Sequence, residues 1–230
     1  MNKKDIFFLG MLALMFAPFV ISNAVFNFYI DFNAKHGIIT SFIKFSILAT
    51  VGEIIGLRIK EGLYFKKGFG ILPKIIVWGI LGITIKFAFI VFSTGVPIFL
   101  EYAGLSGIKD VLSGSFSLQK LFVTFCISFF MNTIYAPILM ITHSITDSHI
   151  TNNKGKIASL IVPIPTQKII QNIDWSVMWG FVIKKTIPFF WIPAHTLTFL
   201  LPIDFQVLFA ALLSIVLGVI LAAAALKSQK

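Results

Sequence analysis

The sequence predicts an all-α, polytopic transmembrane helical bundle of about six spans, and three observations carry that prediction. Hydrophobic residues make up 57% of the chain and charged residues 12%, with a mean hydropathy of +0.94, against roughly 25% charged in an ordinary soluble domain. Apolar runs of the length a helix needs to cross a ~30 Å hydrocarbon core recur along the chain. These runs are continuous, whereas a barrel strand alternates polar with apolar over about ten residues.

The runs are 6–30, 37–57, 75–100, 118–142, 186–203 and 205–226. The first is an N-terminal anchor within residues 1–30. Its rival is a cleaved signal peptide, since Lys3 and Lys4 precede an apolar core and Ser22-Asn23-Ala24 offers small residues for cleavage, which would leave five spans. The anchor is the expectation, because the apolar run continues through Val25 to Ile30. The fifth and sixth runs are separated by Pro202 and Asp204, which stop a buried helix and make a hairpin. No polar gap is long enough for a soluble domain with its own core, so residues 1–230 are expected to form one membrane domain. Residues 165–185 mix Ile169, Ile170, Ile173, Val177 and Met178 with Gln167, Lys168, Gln171, Asn172 and Asp174 near helical spacing, ending on Trp175 and Trp179. This pattern predicts an amphipathic helix lying on the membrane face.

Of the 19 basic residues, 14 fall in the termini and gaps of one side, namely the N-terminus, 58–74, 144–185 and the C-terminus. Only Lys35, Lys109 and Lys120 fall on the other. Loops rich in Lys and Arg stay cytoplasmic, so both termini are expected there, in the cytoplasmic (inner) membrane. The net charge of +10 then reads as orientation and as contact with membrane lipids through their anionic headgroups. Nucleic acid is not an expected partner, because no basic stripe interleaved with aromatics lies in a soluble module. Cys126 is the only cysteine and Arg58 the only arginine, which excludes intramolecular disulfides and most bidentate phosphate clamps.

Within the apolar runs, Lys44, Glu53 and Lys86 stand out. A charge near the bilayer centre costs at least ~2.5–3.5 kcal/mol and is usually kept for a pathway, a partner or a ligand. Lys44 and Glu53 are nine residues apart, about half a turn out of phase and ~13 Å along the axis, so they do not pair within one helix. Lys44 and Lys86 lie at comparable depth, where they attract anions if they line water; the alternative for Lys44 is to snorkel to the headgroups. Gly52 and Gly56 flank Glu53, and Ser214, Gly218 and Ala222 repeat every four residues on the last helix. Both stripes predict close helix packing. Asn132, Tyr135 and Pro137 on the fourth run, and Pro188, Pro193 and His195 on the fifth, point to bent helices around a polar interior. For His195 the alternative is a buried histidine satisfied by a neighbouring helix.

Enzyme readings fail on specifics, and no catalytic residue, cofactor or metal is expected. His143, Asp147 and His149 form an H-x3-D-x-H array that resembles a metal site or part of a membrane acid phosphatase. The phosphatase's Arg-bearing signature and P-S-G-H element are absent from the sequence. Ser113-Gly114-Ser115 sits in a loop with no paired histidine.

The run from Trp179 to His195, followed directly by the last hydrophobic span, resembles the Mpv-seventeen and peroxisomal membrane protein family. In register, Lys185 takes the family's Gln place, Pro188-Phe189 its Asn-Phe and Ile192-Pro193 its Val-Pro. Gly52-Glu53 is similar to its Gly-Asp element and Tyr135-Ala136-Pro137 to its Ala-Pro element. Phe181-Val182 replaces the family's Trp-Pro, and Leu197 its basic residue. The resemblance covers about residues 42–226 and implies a compact helical membrane protein with weakly selective channel activity. The sequence thus predicts a small channel or transporter-like bundle with Lys44, Glu53, Lys86, Asn132 and His195 lining its polar interior. The alternative is a non-conducting scaffold or accessory subunit, a homo-oligomer or a membrane protein being the partner.

Overall fold

The computed structural model describes residues 3–108 and 110–227, with side chains described as far as residue 220. Lys109 and Lys230, counted in the charge bias, and the side chains of Ala222 and Lys227 lie outside the described residues. All described elements are helical and none is a strand. The chain divides into two compact units, Met1–Thr40 and Ser41–Lys230.

The first unit contains α1 (Lys3–Ile21) and α2 (Asn23–Lys35). The anchor expected over 6–30 is therefore interrupted. Ser22 leaves the helix with φ −114° and ψ 110°, and its hydroxyl accepts the Val25 N–H at 3.4 Å, as an N-cap does. Phe19 on α1 meets Tyr29 on α2 edge-on, 5.6 Å between centroids. The Thr40 hydroxyl donates to Asn33 Oδ1 at 2.9 Å.

The second unit is built from most of α3 (Gly37–Glu61), α4 (Ile71–Tyr102), α5 (Leu118–Asn152), a 3-10 turn (Ile157–Leu160), α6 (Thr166–Gln171), α7 (Trp175–Val177), a π-helix (Met178–Trp191), α8 (Ile192–Leu200) and α9 (Ile203–Lys227). Among the described residues, five helices are long and apolar enough to cross a membrane: α1, α3, α4, α5 and, over Ile203–Ile220, α9. The protein is an integral membrane protein on that ground.

Three boundaries differ from those expected, each with consequences for the site. α4 begins at Ile71 after Gly70, whose φ of 76° suits glycine; Lys74 is thus a buried first-turn residue, 5% exposed, and not a loop lysine. α5 continues ten residues past Thr142 to Asn152, so His143, Asp147 and His149 are helical. The amphipathic helix expected over 165–185 shrinks to α6, and a new helix starts at Trp175. There the Asp174 carboxylate caps the Ser176 N–H at 3.0 Å and the Val177 N–H at 3.1 Å and takes the Ser176 hydroxyl at 2.6 Å. These bonds, the Ser176 hydroxyl foremost, hold its carboxyl below the usual carboxylate range.

From Trp175 the chain stays helical to Leu200, which covers the expected fifth span, 186–203, up to that residue; the helix then breaks before α9 starts at Ile203. The first part of this stretch takes i→i+5 bonding around Pro188, with Thr186 Oγ1 donating to the Phe181 carbonyl five residues back at 3.3 Å. Proline removes an N–H that a membrane helix must replace, and a π adjustment is one way to do so. Ile187, Trp191 and Ile192 from this stretch pack with Ala136 of α5 and Leu217 of α9.

α5 touches α4, α6, the π-helix and α8, and glycines set the approach of α3 to its neighbours. A Cβ on Gly79 would lie 2.4 Å from the Phe42 ring and the Ser46 hydroxyl, and one on Gly82 would lie 2.6 Å from Phe45 Cβ. Two turns further along α3, a Cβ on Gly52 would lie 3.1 Å from Ile215 Cα, and one on Gly218 would lie 2.9 Å from the Gly52 carbonyl. The two small-residue stripes thus face one another, α3 against α9. Gly79→Val is expected to destabilise the protein by about 1–3 kcal/mol through overpacking, while Gly95→Ala, with nothing within 4 Å of the added carbon, leaves the thermal midpoint unchanged or raised. Equal midpoints for the two variants in detergent melts would contradict this packing.

Candidate functional site

A cavity of about 1090 Å³ opens among α3, α4, α5 and α9. Along α3 its wall runs from Lys60 and Glu61 through Leu57, Gly56, Glu53 and Ala49 to Phe45. Sixteen residues of helix separate its ends, about 24 Å at 1.5 Å per residue, most of the thickness of a hydrocarbon core.

The rim is basic. Lys60, Lys66, Lys67, Lys154 and Lys156 line it together with Glu61, and Lys66 pairs with Glu61 at 2.8 Å. Two loops supply most of these lysines, and a backbone clasp joins them. A Cβ on Gly155 would lie 2.6 Å from Gly70 N and 2.7 Å from the Gly68 carbonyl. The α5 terminus reaches this contact through left-handed Lys154 (φ 58°) and Gly155 (φ 66°), with the Gly155 N–H bonding back to the Ile150 carbonyl at 2.9 Å. Only residues without a side chain allow two backbones to approach so closely. The side chain of His149 braces the same end, donating from Nε2 to the Ser159 carbonyl at 3.0 Å.

Below the rim lies a charged cluster. The Lys74 ammonium, with a side chain 6% exposed, bonds both the Glu53 and the Asp147 carboxylates. Trp78 Nε1 donates to the other Glu53 oxygen at 2.6 Å, and His143 Nε2 lies 3.1 Å from that same oxygen. The Trp78 and His143 rings lie 4.4 Å apart, and the Phe69 ring stands 4.5 Å from the ammonium. Glu53 therefore has partners on α4 and α5 from a position on α3, and Lys74 joins the three helices. Buried charges such as Lys74 persist when paired and hydrogen-bonded on several sides.

At the Phe45 end of the cavity, Phe45, Ile85, Leu139, Met140 and Trp191 line it and also line a second chamber of about 40 Å³ that includes Asn132, Tyr135 and His195. These five apolar side chains are common to the walls of both. In the inner chamber Nδ1–H of His195 donates to Asn132 Oδ1 at 3.1 Å, and Asn132 Nδ2 donates to the Ser128 carbonyl at 2.8 Å. Ser128 Oγ in turn donates to the Ile192 carbonyl at 2.7 Å. That carbonyl also receives the Thr196 hydroxyl at 2.7 Å. The Tyr135 hydroxyl lies 2.7 Å from Thr84 Oγ1, whose own proton goes to the Leu81 carbonyl. Interhelical bonds of this kind in membranes contribute on average ~0.6 kcal/mol each, and here they join α5 to α8 and to α4.

The residues singled out in the sequence thus separate into distinct places. Glu53 lies in the large cavity, and Asn132 and His195 in the inner chamber. Lys44 and Lys86 line neither; Lys44 is buried, at 7% exposure, within electrostatic reach of Lys86 and Asp204. His143 and Asp147 belong to the Glu53 cluster while His149 turns to Ser159, so the H-x3-D-x-H array is not one site. Among the described residues no group of three His, Cys, Asp or Glu side chains is arranged to hold a metal ion. Sequence reasoning missed Lys74, Trp78 and His143 as partners of Glu53, and Asp147 as the second carboxylate on Lys74. The signal was present as the spacing Asn132, Ala136, Met140, His143, Asp147 along one face of α5.

No family model matches the chain, and no curated protein or solved structure matches it.

The cluster makes a defined energetic statement. Lys74→Met leaves two carboxylates without their ammonium and is expected to cost about 3 kcal/mol, the lower end for breaking a buried pair. Asp147→Asn should cost less than about 1 kcal/mol, because Asp147 is 37% exposed and screened. In denaturant titrations the double variant Lys74→Met/Glu53→Gln recovers part of the loss; a strictly additive double variant would show that the two side chains do not interact.

Proposed function

We propose that this protein is a small-solute channel or carrier whose path descends from the lysine rim, past the Glu53–Lys74 cluster, through an apolar throat at the shared wall to the Asn132–His195 chamber. The observation that carries the reading is the sharing of Phe45, Ile85, Leu139, Met140 and Trp191 by the two cavities. Polar side chains on both sides of a short apolar constriction are the arrangement of a gate that closes by excluding water. The resemblance to the Mpv-seventeen family supports the same reading, since weakly selective channel activity is what it implies. In this reading the lysine-rich end faces the cytoplasm.

With purified protein in liposomes, Met140→Trp, which fills the throat, is expected to lower flux of small ions and polar solutes on the order of tenfold, and Met140→Ala to raise it. Absence of flux from the wild-type vesicles, or equal flux in both variants, would contradict the proposal; co-purification of a stoichiometric membrane partner with no flux would favour a scaffold.

A further inference from the structure

We infer that the large cavity binds one amphiphile of net negative charge, carried by a phosphate, per chain, its phosphate held among the rim lysines and its apolar part lying along the wall beneath them. This does not rest on the transport reading, since a bound amphiphile can occupy a cavity through which nothing passes.

Three observations support it. The first is the charge of the mouth. Five lysines from three chain segments converge there, and Glu61, already paired with Lys66, is the acidic side chain among them. The convergence is built by the Gly70–Gly155 clasp and by a lysine held at positive φ, so it does not depend on how individual side chains swing. The second is the fate of the deeper charges. Glu53 and Asp147 lie below the rim and share the single Lys74 ammonium, so the cluster carries one net negative charge, which the five rim lysines against Glu61 outweigh at the mouth. The third is the apolar surface below, where Ala49, Leu57, Leu139, Leu217 and the Trp191 ring line the wall. Basic pockets between transmembrane helices take lipid phosphate headgroups for these physical reasons, high positive potential beside low-dielectric walls.

Lysine sets the character of the recognition. An ammonium is a compact, strongly hydrated point charge rather than a rigid fork, and Arg58, the sole arginine, is turned to the Gly62 carbonyl and over the Tyr64 ring. The site therefore reads charge and is expected to weaken with salt, and the apolar wall distinguishes an amphiphile from a soluble phosphate.

The test is binding of water-soluble dihexanoyl phosphatidic acid to the full chain in a neutral detergent, followed by calorimetry and native mass spectrometry. One molecule is expected per chain. Replacing Lys66, Lys67, Lys154 and Lys156 together by Gln is expected to weaken binding on the order of a hundredfold, and because these side chains other than their rim contacts face water, the melting temperature serves as the check that the variant is folded. A second variant, Lys60→Gln/Lys67→Gln, is expected to show a smaller loss in the same direction. Glycerol phosphate, which carries the same phosphate without acyl chains, is expected to bind far more weakly. Equal binding of glycerol phosphate would overturn the amphiphile and assign the site to soluble phosphates. Equal binding of dihexanoyl phosphatidylcholine, or no loss in either folded variant, would overturn the site altogether. Flux plays no part in these readouts, so the proposal stands or falls apart from the transport reading.

Discussion

The ammonium of Lys74 is the interaction on which the rest of the second unit depends. It sits in the first turn of α4 and holds a carboxylate from α3 and another from α5. Trp78 and His143 complete the coordination of Glu53 from those same two helices. The Lys74 side chain is 6% and the Glu53 side chain 18% exposed, so the three helices keep the rotation and depth that satisfy them. Removing one partner leaves an uncompensated charge, which costs far more than the pair itself contributes. The interaction is thus better understood as fixing geometry than as supplying stability.

Packing along α3 obeys the same geometry. Glu53 reaches α4 and α5 only because α3 lies close to its neighbours, and it does so by contacts that admit no side chain. Gly79 and Gly82 receive the Phe42 and Phe45 side of α3, and Gly52 meets the backbone of α9 at Ser214 and Ile215. Tight packing at these places leaves the remaining space as a cavity with a charged middle and an apolar floor. The Asn132–His195 bonds and the π-helix then close the far side, where Trp191 belongs to the shared apolar wall and stacks 5.0 Å from the His195 ring.

Much of this was legible in the sequence, and the remainder was hidden for identifiable reasons. Composition and run length announced a helical membrane protein, and the stripes through Gly52 and Gly218 stood out because small residues at four-residue spacing have one obvious use. Glu53 stood out as a charge where hydrocarbon was expected. The rest of its cluster did not, because Lys74, His143 and Asp147 lie where polarity also marks the end of an apolar run. Hydropathy cannot tell a helix that ends from one that continues as a polar extension, and α4 and α5 both extend. The break at Ser22 was obscured in the opposite way, since an apolar run crosses it and only the capping serine marks it. The π-helix left no periodic signature beyond Pro188, and the clasp of Gly70 on Gly155 joins residues 85 positions apart, beyond the reach of local pattern.

The most direct test of the account is the proximity of the Lys74 ammonium to two different carboxyl groups in the membrane. Solid-state NMR of protein labelled with 15N at lysine Nζ and 13C at Asp and Glu side chains, in neutral bilayers, measures it. The Lys66→Ala variant is the background of choice, because it removes the exposed Lys66–Glu61 pair. The account predicts one lysine resonance dephased by both a Glu and an Asp carboxyl carbon and abolished by Lys74→Met. Lysine resonances that each sense one carboxyl type or none would contradict it.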